Sequence, residues 1–274
     1  MSEESREIWR SLGCNRKAAL ALAAGVLGAT SASAQDGWTV DRHERNQTTS
    51  AFVSFTTGQA ISVRCTRGHA EVLAMGLPVQ ARPTDSRLSA FSRRIETKLD
   101  GKSMRSSAWL SSTDPTVAFY SAPGALARGL LKGHELSLRI VPESGPATRI
   151  VLPLPPDRSG LQTVLEECGL PLSDPRDEAI DLSDLPAGIP QWKAIPRAVY
   201  PDLAQRGGVR EGLSIMSCFA EPDGSIRDCQ SDYAAPPGYG FDEAALQAMR
   251  RARLEPREDL VARPISFTMR FRLE

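Results

Sequence analysis

Residues 211–231 read EGLSIMSCFAEPDGSIRDCQS, and the fold of the last third of the chain turns on this stretch. Leu213, Ile215, Ser217 and Phe219 share one face of an extended segment, and Met216, Cys218 and Ala220 share the other, by the period of two that strands impose. Pro222-Asp223-Gly224 supplies a fixed φ and then a residue tolerant of positive φ, which tight reversals need. Ser225–Ser231 returns alongside, so the spacing predicts a hairpin. With a loop of two or four residues centred on Asp223-Gly224, Cys218 falls directly opposite Cys229. Directly opposed residues hold their Cβ atoms about 4.5–5.5 Å apart, close to disulfide reach. A three-residue loop with a glycine bulge shifts the register by one and separates them. Pro222 fits both loops; we take the bonded register.

Outward from the hairpin the period changes. Phe241, Ala244, Ala245, Ala248, Met249 and Ala252 recur at helical spacing as one apolar stripe. Asp242 and Glu243 in the first turn and Arg250, Arg251 and Arg253 in the last complement the helix dipole, which accounts for these arginines without a nucleic-acid patch. Pro256 forbids continuation. Ile265, Phe267, Met269, Phe271 and Leu273 then alternate with Ser266, Thr268, Arg270 and Arg272, a strand with one buried and one wet face. Upstream, Tyr200-Pro201 opens a short helix in which Leu203 and Ala204 pack inward before Gly207-Gly208. These parts make a small α+β unit, a three-stranded antiparallel sheet with two helices on one face.

The order of parts resembles the C-terminal domain of the TonB energy-transducer family over residues 190–274, under a third of the chain. The matching motif positions are Tyr200 and Pro201, Gly212 before the strand, Gly224 in the hairpin, Ala244 and Ala245 in the helix, Pro256, and the terminal Phe267-x-Met269-x-Phe271. Two departures stand out: the cysteine pair is foreign to the archetype, and Leu254 stands where the family often has an aromatic. The resemblance implies a protein-binding module of the periplasm, not an enzyme, that captures a partner peptide by strand addition. It makes the last strand the partner-binding edge, with Arg263, Ile265, Phe267, Met269, Arg270, Phe271 and Arg272, and Arg270 and Arg272 guarding against self-pairing. The implied partners are envelope proteins, such as the periplasmic peptide of an outer-membrane receptor in TonB-dependent transport. Two alternatives stand beside this reading: a membrane-anchored energy transducer, or an envelope structural or stress protein reusing the fold.

The rest of the mature chain reads as mainly β. Between residues 35 and 170, short strands at Ala51–Thr57, Ala60–Cys65, Ala70–Met75, Val117–Ser121, Glu135–Val141 and Thr148–Leu152 alternate with turn residues, the spacing of a β-sandwich or barrel. One helix closes this domain. Ser159 and Gln162 have the form of a capping box, and Leu161, Val164, Leu165 and Cys168 share its buried stripe. Cys168 and Cys65 both look inward, and we expect them to be bonded. Residues 171–191, rich in proline and acidic side chains, read as a semi-extended linker. It lacks the long Pro-Glu and Pro-Lys arrays with which TonB proteins cross the periplasm, and 20 residues fully extended reach only about 60 Å.

Residues 1–34 read as an export signal: a charged lead to Lys17, an apolar run from Ala18 to Ala29, and Ala32-Ser33-Ala34 as a small-x-small cleavage signature. The run is shorter than the roughly 20 residues a bilayer span needs. The other reading is a retained inner-membrane anchor, the one case in which the chain would touch a membrane. Cleavage leaves Cys65, Cys168, Cys218 and Cys229, an even count suited to disulfides in an oxidising compartment. His43, His69 and His134 are scattered and no Cys-x-x-Cys occurs, so no metal or other cofactor is expected. Basic and acidic residues balance at 33 each, which gives no electrostatic reason to invoke nucleic acid. No nucleophile motif or phosphate loop is present, and no catalytic residue is expected.

Overall fold

The structure, a computed structural model, describes residues 34, 36–79, 93, 95–104, 109–140, 146–181, 185–260 and 263–273. The export signal, Ala34 excepted, lies outside the described residues, and among those no helix is long and apolar enough to cross a membrane.

The N-terminal part begins with β1 (Thr39–His43), β2 (Thr48–Ser54), β3 (Ala60–Thr66) and β4 (His69–Met75). It continues through β5 (Ile95–Leu99), β6 (Lys102–Ser103), β7 (Trp109–Ser111), β8 (Ala118–Tyr120) and helix α1 (Pro123–Lys132). β9 (Glu135–Ile140), β10 (Thr148–Pro153) and helix α2 (Ser159–Glu167) complete it. The strands form a sheet of order β1-β2-β3-β4-β8-β7 and a second of order β10-β9-β5-β6, each antiparallel throughout. Val53, Ile61, Val63, Val72 and Trp109 of the first meet Leu136, Leu138 and Leu152 of the second in one core, with Leu126 and Leu130 of α1 and Leu161 and Leu165 of α2. Trp109 Nε1 donates to Thr97 Oγ1 at 2.8 Å, so the one polar atom of this fully buried ring keeps a partner. The class is mainly β, and neither sheet closes on itself, which sets the barrel alternative aside.

Two expectations need correction here. The unit carries two helices rather than one: α1 begins with Pro123 in its first turn and buries Leu126 and Leu130. The capping box at α2 does not form. Ser159 is already helical, and Asp157 supplies the oxygen instead, accepting the Ser159 N–H at 2.9 Å. Behind α2, Cys168 is bonded to Cys65 of β3 with Cα atoms 5.5 Å apart.

Past Leu170 the chain forms a 3-10 turn (Pro175–Glu178), β11 (Ile180–Asp181) and β12 (Trp192–Ala194). The C-terminal elements are α3 (Asp202–Arg206), β13 (Glu211–Ala220), β14 (Ile226–Ala235), α4 (Phe241–Met249), β15 (Arg253–Leu254) and β16 (Arg263–Arg272). Their sheet has order β11-β16-β13-β14, antiparallel except where β11 joins in parallel, and β12 pairs with β15. Met216, Cys218, Phe241, Ala245, Met249, Ile265, Phe267 and Phe271 form a second core between sheet and α4.

The hairpin reconciles both loops weighed above. Glu221 N bonds Ser225 O and Gly224 N bonds Glu221 O, a three-residue reversal with Gly224 at φ 81°. Phe219 therefore faces Arg227, the shifted register. Asp228 then adopts φ 50° at a bulge, after which Ser217 faces Gln230 and Met216 faces Ser231. That one-residue compensation brings Cys218 and Cys229 together, and they are bonded with Cα atoms 4.1 Å apart.

Over β13 and β14 the sheet face opposite α4 is not wet. Leu213 and Ile215 are buried against Leu110 of β7, with Phe119, Tyr233 and Ala235 packed around them, so the outer face of the six-stranded sheet covers it. Ser266, expected to be exposed, is 7% exposed where the 3-10 turn packs against β16. Thr268, Arg270 and Arg272 are exposed. Leu203 is a further correction: it points to solvent at 57% exposure while Ala204 alone packs inward, since a five-residue helix buries only one narrow stripe.

Candidate functional site

Four of the motif residues fix how close helix, loop and sheet approach. Gly212 faces Phe241, where a Cβ would stand 2.3 Å from the ring. The Tyr200 ring meets Phe241 edge-on at 5.7 Å and Phe271 at 6.4 Å, and its hydroxyl donates to Val209 O at 2.8 Å. Burial raises the Tyr200 pKa, with Glu211 adding to the effect. Gly224 takes positive φ and its carbonyl accepts the Leu254 N–H at 2.9 Å, an approach that a side chain would block. Ala245 is fully buried and lets α4 lie against the sheet. Pro201 borders Gly240, Ala244 is packed against the core, and Pro256 is exposed after the helix.

With one face under α4 and the β13–β14 part of the other under the N-terminal sheet, the β16 side and the two rims remain. β16 pairs with β13 without interruption from Arg263↔Ala220 to Arg272↔Glu211. Its outer rim meets β11 only at Ile265 and Ser266; from Phe267 to Arg272 no further strand joins it among the described residues. The expected partner-binding residues therefore lie on one strand, but Ile265, Phe267 and Phe271 are buried in the core and cannot offer their side chains. Met269 is half-buried, and Arg270 and Arg272 reach solvent. Partial burial lowers the Arg270 pKa, and Arg272 Nε lies 3.8 Å from Glu211 Oε1. The Arg263 side chain is outside the described residues. What this rim presents is backbone, framed by Met269 and two arginines.

The opposite rim differs. β14 carries two register shifts and packs near α1, features that blunt an edge. A cleft of about 200 Å³ lies beside it, lined in part by His69, Arg128, Asp232, Tyr233 and Asp242. Among the described residues no group of three His, Cys, Asp or Glu side chains is placed to hold a metal.

The family model of the Gram-negative bacterial TonB protein C-terminal region matches residues 196–273. The C-terminal region of this chain is a TonB C-terminal domain. Among solved structures, the Pseudomonas aeruginosa TonB CTD is 30% identical, over 31% of this chain and 86% of that one, with a TM-score of 0.27. No curated protein matched the chain.

Two aromatic contacts made by this TonB domain were not foreseen from the sequence. Trp192 lies 5.8 Å from Phe267 and pairs with Leu254 across β12 and β15, so an indole from upstream covers the position where an aromatic was expected. Phe219 lies under two guanidiniums, Arg176 at 5.1 Å and Arg227 at 5.6 Å from its centroid. Neither contact has a local sequence signal, because each joins residues far apart or on the turn's two arms.

Proposed function

We propose that this protein is a protein-binding module of the cell envelope that takes up an extended partner peptide as a strand along β16, with transport across the outer membrane as its setting. The observation that carries the reading is the unbroken pairing of β16 with β13 beside an outer rim that, among the described residues, no strand joins from Phe267 to Arg272. Strand addition draws affinity from backbone hydrogen bonds and selectivity from alternate side chains. The rim suits that division, since its apolar side chains are already committed to the core. The assignment to the TonB C-terminal family supports envelope partners, and the export signature supports a periplasmic location. Nothing in the motif content supports catalysis.

The test uses synthetic peptides from the periplasmic ends of outer-membrane receptors of the same cell, titrated into the full chain. Methylating alternate backbone amides on the rim-facing side should abolish binding, and methylating the other alternate set should spare it. Binding indifferent to both would mean that side chains alone hold the peptide.

A further inference from the structure

The open rim of β16 is interrupted by the chain itself. We propose that β11 is a built-in competitor, a short strand of the same molecule that occupies one end of the partner site and yields to an incoming peptide. This rests on the strand-addition reading above.

The position of β11 is that of an added strand. Ile180 pairs with Ile265 and Asp181 with Ser266, in parallel, outside the antiparallel trio. Ile180 is partly buried against the core of the TonB domain, so it uses side-chain space as well as backbone. Among the described residues, two residues of β11 pair with a strand ten residues long, and each such rim pairing contributes little.

What keeps β11 there is a pair of anchors on either side of it. On the N-terminal side, Asp177 receives Arg128 at 2.6 Å, and Arg128 belongs to α1 with 3% exposure. Arg176 Nη2 donates to Asp228 O at 2.7 Å while its guanidinium covers Phe219. On the C-terminal side, Leu185 is 3% exposed in the TonB-domain core. None of these contacts uses the β16 rim. β11 can therefore leave the rim while these anchors stay fixed, and they hold it at high effective concentration for return. A foreign peptide meets a site that is open only part of the time, and its apparent affinity falls by that fraction. The partner that competes best is a parallel strand with an apolar residue where Ile180 lies. The N-terminal part gains a role as well, since Arg128 of its α1 holds the anchor at Asp177.

The experiment compares the full chain with Ile180→Pro and Ile180→Asp, the first removing a backbone donor and the second the apolar anchor. Amide hydrogen exchange at Ile265–Phe267 should accelerate in both variants while β13 and β14 keep their protection. The receptor peptide should then bind both variants about tenfold tighter than the unmodified chain, the factor that loss of one or two rim hydrogen bonds corresponds to. Equal binding to all three proteins would overturn the competition and leave strand addition intact. Binding to none would contradict strand addition itself. Loss of β13–β14 protection in one variant would mark unfolding, and the other variant would decide.

Discussion

At the scale of single residues, the TonB domain depends on close approaches between helix, loop and sheet as well as on its core. Gly212 gives the sharpest case. Gly212→Ala places a methyl inside the Phe241 ring, and overpacking of this kind costs about 1–3 kcal/mol. Urea unfolding should show that loss, and an unchanged midpoint would mean that α4 shifts freely. Ser214 points the other way. Its Oγ is buried with no hydrogen-bond partner among the described residues, and Ser214→Ala should stabilise the domain by about 1 kcal/mol in the same assay. Charge acts at the turns. Asp100 accepts the N–H groups of His134 and Glu135, and Asp157 that of Ser159, which holds both carboxyls below their ordinary range. Since the folded values are depressed, this stability is present above the ordinary carboxylate pKa of about 4 and is lost as the pH falls through the depressed values. Asp100→Asn should therefore lower stability at neutral pH and flatten the acid limb of the stability–pH curve, the two proteins converging at low pH.

At the scale of elements, the two disulfides differ in span. Cys65–Cys168 closes 103 residues and Cys218–Cys229 closes 11, so chain entropy assigns about 5 and about 3 kcal/mol respectively. Paired Cys→Ala replacement should cost more at the first than at the second, measured by denaturant unfolding of each double variant. The period-of-two pattern made β3, β4, β9 and β10 legible to within a residue or so, because each has one face in the core. α1 was not legible: Gly124 and Gly129 break its helical pattern, and only packing against the sheet overrides their low propensity. The bulge at Asp228 was equally hidden, since any short polar residue can take positive φ and only the bonded cysteines reveal that one did. β11 was hidden for a different reason. Two residues carry no period, and their pairing with β16 is a long-range fact.

At the scale of the whole molecule, the N-terminal six-stranded sheet covers part of the TonB sheet. Leu110 and Phe119 bury Leu213 and Ile215, and Tyr233 is enclosed beside Arg64 and Glu71, where burial first and Glu71 second push its phenol pKa well up. Leu110→Asp puts an unpaired charge in that contact and should release the two domains from each other. Limited proteolysis between residues 171 and 191 would then accelerate severalfold, whereas an unchanged rate would mean that the contacts of Arg176, Asp177 and Leu185 hold them without it. With one face covered and the β13–β14 part of the other covered too, function is left to β16 and its rim. Backbone amide shifts and exchange rates of the isotope-labelled full chain, recorded with and without a receptor peptide, test this most directly. We predict new protection along Phe267–Arg272 and none along Gln230–Ala235; protection confined to β14, or a β16 rim unchanged at saturating peptide, would contradict it.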